Sequence, residues 1–189
     1  MLVTNIAAMS RWQKTHDRLQ EVAMQLFMTQ GYAATGTAQI AQRAGVSEMT
    51  LFRHFPSKEA LLLEDPFDAV IADEVRQRPA HESPMRALTE AVRTTWHSID
   101  ADSVNALRAS LLLIAQTPNL QGAIERNTNE TRAALTEALI ERGVPAEVAG
   151  VATAAVIAGL SAALLTWANS EQADLGQVID DALDLLGGS

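Results

Sequence analysis

Cysteine is absent from the 189 residues, which excludes disulfides, thiol nucleophiles and cysteine-ligated metal sites. Aromatic residues are scarce, at 4%, and no stretch alternates apolar and polar residues as a half-buried strand would. Alanine and leucine abound instead, so helix is favoured over sheet. Basic side chains are also few, with 14 Lys and Arg against 23 Asp and Glu and a net charge of −9. Their distribution matters more than their number. Residues 1–60 hold six basic and four acidic side chains, whereas the remainder holds eight and nineteen. A mildly basic head on an acidic body turns one face toward a polyanion and keeps the rest away from it. Catalytic signatures are missing as well: there is no glycine-rich phosphate loop, no HExxH and no ExxH pair. The four histidines are scattered, and His97, near Asp100 and Asp102, fits an ordinary helix end. No enzyme activity, metal or cofactor is expected.

What is present is concentrated in Thr37 to Phe55, TAQIAQRAGVSEMTLFRHF. Thr37 is a candidate N-cap for a first short helix with Ile40, Ala41 and Ala44 on its apolar face. Gly45 stands where a helix ends in a left-handed residue. Val46 plugs the turn and Ser47 caps a second helix, Glu48 to about Phe55, with Leu51 and Phe55 inward. Pro56 ends it. Two helices joined by a glycine turn predict a helix-turn-helix, the second helix sized for the DNA major groove. A preceding helix over about Arg11 to Thr29 carries Leu19, Val22, Ala23, Leu26 and Phe27 at helical spacing. On it, Arg11, Lys14 and Arg18 either reach backbone phosphates or form a solvated face.

Gly31-Tyr32, Ala34-Thr35, Ile40-Ala41, Ala44 to Ser47 and Thr50 to Leu62 together resemble the N-terminal domain of TetR-family regulators, over about residues 11–63. The resemblance implies phosphate contacts from Thr35 and Thr37, and base contacts from Ser47, Glu48, Met49 and Thr50 at the front of the recognition helix. Thr50 and Met49 suit a thymine methyl. Glu48 suits a cytosine amino group, or equally is an acid favoured by the helix N-terminus. Phe52 stands where the family often has tyrosine and so lacks one hydroxyl. Arg53, His54 and Lys58 are expected on the phosphate backbone, which predicts that loss of Lys58 weakens all DNA and lowers the salt dependence.

The expected organisation is all-α with about nine helices: an arm over residues 1–10, a DNA-binding domain over 11–56 and a helical ligand-binding and dimerisation domain over 57–189. The first ten residues are expected to be disordered and carry no secretory signal; Met9 is a second candidate start. A fourth helix, opened by Ser57, is expected to run to about Arg78, with Pro66 inside it as a kink, a split, a hinge or a tolerated oddity. Further helices are expected at about 84–100, 102–116, 118–142, 145–170 and 174–186. Val148 to Ala168 has 21 uncharged residues, long enough to span a bilayer. Its Ala, Gly, Thr and Ser content and lack of basic flanks favour burial on every face inside protein instead. Small residues at 154, 158 and 162 admit a close neighbour. With the stripe Leu175, Val178, Ile179, Ala182, Leu183 and Leu186, this helix resembles the family's four-helix dimer interface.

The resemblance further implies a small-molecule pocket. Candidates are Phe67, Val92, Trp96, Leu107, Leu111, Ile114, Asn127 and Thr131, each otherwise plain core, with Arg108 for an anionic group. The body is similar to that of regulators sensing fatty-acyl thioesters. The function implied is a cytoplasmic homodimeric repressor, released from a pseudo-palindromic operator by a small hydrophobic effector of acyl type. The alternative is a DNA-binding factor controlled by a protein partner.

Overall fold

The computed structural model describes residues 10–64, 67–99, 101–117, 120–170 and 173–187, with the backbone alone at residues 102, 121–123 and 126. Among these residues there are ten α-helices and no strand. The chain forms two compact units, Met1–Glu64 and Asp65–Ser189. The N-terminal arm lies outside the described residues, apart from Ser10, whose hydroxyl caps the first helix at Gln13.

In the first unit, α1 (Arg11–Gln30) buries Leu19, Val22, Ala23, Leu26 and Phe27, the stripe expected of it. It ends at Gly31, where φ is 88°. Helix α2 (Thr37–Ala44) buries Ile40, Ala41 and Ala44. Gly45 comes next with φ 75° and ψ 29°, the left-handed turn expected from the sequence. Helix α3 (Glu48–His54) is pinned by fully buried Leu51, and Phe55 beyond it is also fully buried. Helix α4 (Ala60–Leu63) closes the unit by packing Leu61 and Leu62 inward, with Ser57 Oγ accepting the Ala60 amide.

Of the alternatives for the stretch from Ser57 to about Arg78, the structure has the split into two helices. Helix α4 stops at Leu63, Glu64 is extended at ψ 119°, and α5 (Phe67–Gln77) starts afresh. The break falls where proline removes a helix donor and crowds the turn before it. Pro66 itself, and with it the hinge question, lies outside the described residues.

The second unit contains α5, α6 (Pro84–Trp96), α7 (Ala101–Ala115), α8 (Gln121–Glu141), α9 (Ala146–Ala168) and α10 (Leu175–Gly187). One core cluster joins α5, α6, α8 and α9 through Val75, Leu88, Leu139 and Val156. A second joins α6, α9 and α10 through Val92, Trp167, Ile179 and Leu183, with α7 laid against it. Arg93 ties α6 to α10, donating to Asp184 at 2.6 Å and to Asp180. Gly187 ends α10 against buried Thr89 of α6. A Cβ there would meet Thr89 Oγ1 at 2.6 Å and two further Thr89 atoms at 3.3 Å. Thr89 is fixed by its bond to the Met85 carbonyl, so Gly187→Ala is expected to destabilise this unit by about 2 kcal/mol through overpacking, read from thermal melts.

Helix α9 is only partly covered by its own chain. It is not buried all round: only 22% of its most apolar 18-residue window is covered within the chain. The described neighbours α6, α7, α8 and α10 cover part of it, holding Ala149, Ala152, Val156 and Trp167.

Candidate nucleic-acid interface

Helix α3 starts in a set of hydrogen bonds made by its own side chains. Ser47 Oγ accepts the Thr50 amide at 3.1 Å and lies 2.9 Å from Thr50 Oγ1. Met49 is 70% exposed and Phe52 45%, beside exposed Arg53. Large apolar groups left open on a seven-residue helix anchored by Leu51 make it a surface for contact rather than a core element.

At the start of α2 the N-cap is Gly36, which has no capping side chain. Thr37 is therefore the first helical residue and not the cap, a correction to the sequence reading. The first amides of α2 have no intrahelical partners and form a ready site for an anion. The Thr37 hydroxyl is directed elsewhere, donating to Glu48 Oε1 at 2.5 Å and so tying the starts of α2 and α3 together.

Two expected phosphate contacts turn inward. Thr35 is 1% exposed; its hydroxyl donates to the Gly31 carbonyl at 2.9 Å and accepts from Gln30 Nε2, and its amide donates to Tyr32. With both donors used, it braces the α1–α2 loop and has none left for DNA. Lys58 is half-buried. Its ammonium donates to the Tyr32 carbonyl at 2.6 Å and lies 4.1 Å from the Tyr32 ring centroid. Burial holds its pKa below the usual lysine value against the opposing pull of Glu59. It too anchors that loop.

His54 belongs to a stack that the sequence did not reveal. Trp12 lies 4.9 Å from His16 and 4.7 Å from His54, while His16 lies 4.2 Å from Phe55. His16 Nε2 is 3.4 Å from Glu64 Oε1. The spacing of Trp12 and His16, one turn apart on α1, was the available signal. Burial, and then the neighbouring His16, lower the pKa of His54 from its ordinary 6.5. A histidine lowered on folding binds its proton first in the unfolded chain. Its contribution to stability is thus whole above pH 6.5 and declines as pH falls through 6.5 toward the folded value. Melting of the first unit is expected to drop by a few degrees between pH 7.5 and 5.5, and His54→Gln to flatten that fall. Glu64, its pKa raised by burial against the pull of His16, acts in the opposite sense nearer its ordinary 4.5.

Residues 19–64 match the family model for bacterial regulatory proteins of the tetR family, and residues 82–189, more than half of the chain, match that of the MftR C-terminal domain. The chain belongs to the TetR family. Its first unit is the helix-turn-helix head of that family. It is 30% identical over 137 residues to the transcriptional regulator TcmR of Streptomyces glaucescens, a match covering 69% of this chain and 61% of that one. The chain thus spans about three-fifths of that relative's length. Among solved structures it is similar to the fatty acid degradation regulator FadR of Bacillus halodurans, with TM-score 0.59, 20% identity, and 93% and 95% of the two chains covered. It is equally similar to FadR of Bacillus subtilis in complex with stearoyl-CoA, with TM-score 0.59, 20% identity, and 92% and 98% covered. At these identities the likeness is one of fold.

In the second unit of this TetR-family chain the expected ligand residues fall into two groups. Phe67 stacks 6.4 Å from Trp96, and Val92, Trp96, Leu107 and Leu111 share the cluster around Trp167. Arg108 lies 4.4 Å over the Trp167 ring and has no carboxylate partner among the described residues. Ile114 is half-buried farther along α7. Thr131 instead donates to Asp68 at 2.6 Å, and Asn127 offers it a backbone carbonyl. That pair joins α8 to α5 rather than to the aromatic group.

Proposed function

We propose that this regulator is a cytoplasmic homodimeric repressor, bound to a pseudo-palindromic operator through α3 and released by a small hydrophobic effector in its second unit. The observation that carries the dimer is a row on α9. Val148, Val151, Ala155, Ala158, Ala162 and Leu165 are all exposed, and their spacing alternates three and four. That is the repeat of a helix seam packing against a like helix. Small residues in its middle permit close approach, and a second copy is the partner that covers both seams at once. Two-fold symmetry then spaces the reading helices about 34–36 Å apart, one turn of DNA.

The effector is of acyl type, with the apolar tail among Phe67, Val92, Trp96 and Leu111 and Arg108 toward an anionic group. The Arg108 guanidinium donates to the Ala173 carbonyl and has no carboxylate partner among the described residues; its place beside an apolar cluster supports this, as does the fold shared with the FadR protein solved with stearoyl-CoA. Asn127 and Thr131, at the α8–α5 contact, stand apart from it. Release needs differential affinity: an effector that binds free and operator-bound protein equally shifts nothing.

The test is to select genomic fragments with the purified protein, sequence those bound, and titrate the recovered operator complex with acyl-CoA of varied chain length. An inverted repeat released by one range of chain lengths supports the reading. Recovery of a repeat that no acyl-CoA releases removes the effector and favours control by a protein partner.

A further inference from the structure

Thr37 and Glu48 open the two helices of the reading pair, and their side chains meet at 2.5 Å. A threonine hydroxyl has one proton, and here it goes to Glu48 Oε1. A phosphate carries only acceptors at neutral pH, so this hydroxyl has nothing left to donate to one. Glu48 is exposed, and its second oxygen, Oε2, has no partner among the described residues. The bond therefore fixes a carboxylate at the front of α3 and leaves one acceptor open to solvent.

A fixed acceptor discriminates among bases. In the major groove guanine presents two acceptors and thymine one, each of which repels a carboxylate. Adenine pairs its amino group with an adjacent acceptor, whereas cytosine presents its amino donor alone. An unrestrained glutamate would lose its rotamer freedom on making such a contact, and one already held loses less. Resting on the proposed operator binding by α3, we propose that Thr37 is a positioning residue for base recognition: it orients Glu48 so that Oε2 accepts an amino proton from a cytosine in each half-site.

The test uses the full-length protein and the operator it selects from random duplexes. Anisotropy gives its affinity for that operator, for every symmetric single-base variant and for an unrelated duplex. Thr37→Val is expected to cut the preference for cytosine at one position by about tenfold while leaving affinity for the unrelated duplex unchanged. Glu48→Gln should erase the preference at that same position, and Thr37→Ser, which restores the hydroxyl, should keep it. If both Thr37→Val and Glu48→Gln raise affinity for every duplex alike, Glu48 is a phosphate repellent and the proposal fails. A uniform loss with Thr37→Val makes Thr37 a phosphate contact and overturns it as well. Selection of no sequence by the unaltered protein removes operator reading itself, whereas a selected operator without a position that depends on Glu48 removes this inference alone.

Discussion

Ala158→Asp on α9 is expected to turn the proposed dimer into a monomer and to weaken operator binding by at least about a hundredfold. Ala158 is exposed in the single chain, within the row of Val148, Val151, Ala155, Ala162 and Leu165. Its replacement removes nothing from either core cluster, so helix content and the melting of each isolated unit should hold. In a two-fold seam, however, every substitution enters twice, and two aspartates then face an apolar surface with no cation to pair them. Desolvating a carboxylate without a partner costs several kcal/mol per ion, enough to cancel a seam whose middle is alanine. A monomer carries one reading helix and loses the second half-site. Sedimentation reads the mass and anisotropy the affinity, with Ala133→Asp on exposed α8 as the control that should change neither. A dimer that survives Ala158→Asp would place the interface elsewhere.

The proposed seam would account for the membrane-like composition of α9. The helix has 23 residues and reaches a mean hydropathy of 2.2, long and apolar enough to cross a bilayer. Part of it packs on α6, α7, α8 and α10, and the exposed row repeats at coiled-coil spacing. Val148, Val151 and Leu165 bracket a stretch of alanine, a pattern suited to close backbone approach rather than to contact with acyl chains.

The head was legible in the sequence because its elements are set by local rules. Gly45 requires the left-handed turn, Ser47 caps the reading helix, and the stripe on α1 has helical period. Legibility ended where a side chain's partner is distant in sequence. Nothing near Lys58 reveals that its ammonium meets a carbonyl 26 residues earlier, and nothing near Thr37 reveals Glu48, 11 residues on. The resemblance put Thr35 on a phosphate, yet a buried loop residue satisfies its own polar groups first. In the body, period identified the helices but not which face of α9 would be left open. Apolar residues such as Val92 and Leu111 have the same signature whether they line a pocket or fill a core.

Lys58→Met is the sharpest case in which structure alters the expected result. From the resemblance alone its loss should weaken all DNA and lower the salt slope by about one, as removal of a phosphate contact does. In the structure the ammonium is spent on Tyr32, bonded to its carbonyl and stacked on its ring. Methionine keeps the apolar stem but leaves the carbonyl with only the Thr35 amide, at 3.2 Å. Loss of a charge-assisted bond and of a cation–π contact is expected to cost about 2 kcal/mol, which is about 10 °C of melting in a unit of this size. Lys58→Arg should not restore it, since a planar guanidinium cannot replace a compact ammonium at one carbonyl over a ring. Affinity should still fall for specific and unrelated duplexes alike, because the loosened loop carries the start of α2 and does not touch the base-reading end of α3. The salt slope is what separates the two roles. An unchanged slope with a lowered melting temperature makes Lys58 the brace of the α1–α2 loop, whereas a slope reduced by about one with melting intact makes it a phosphate contact.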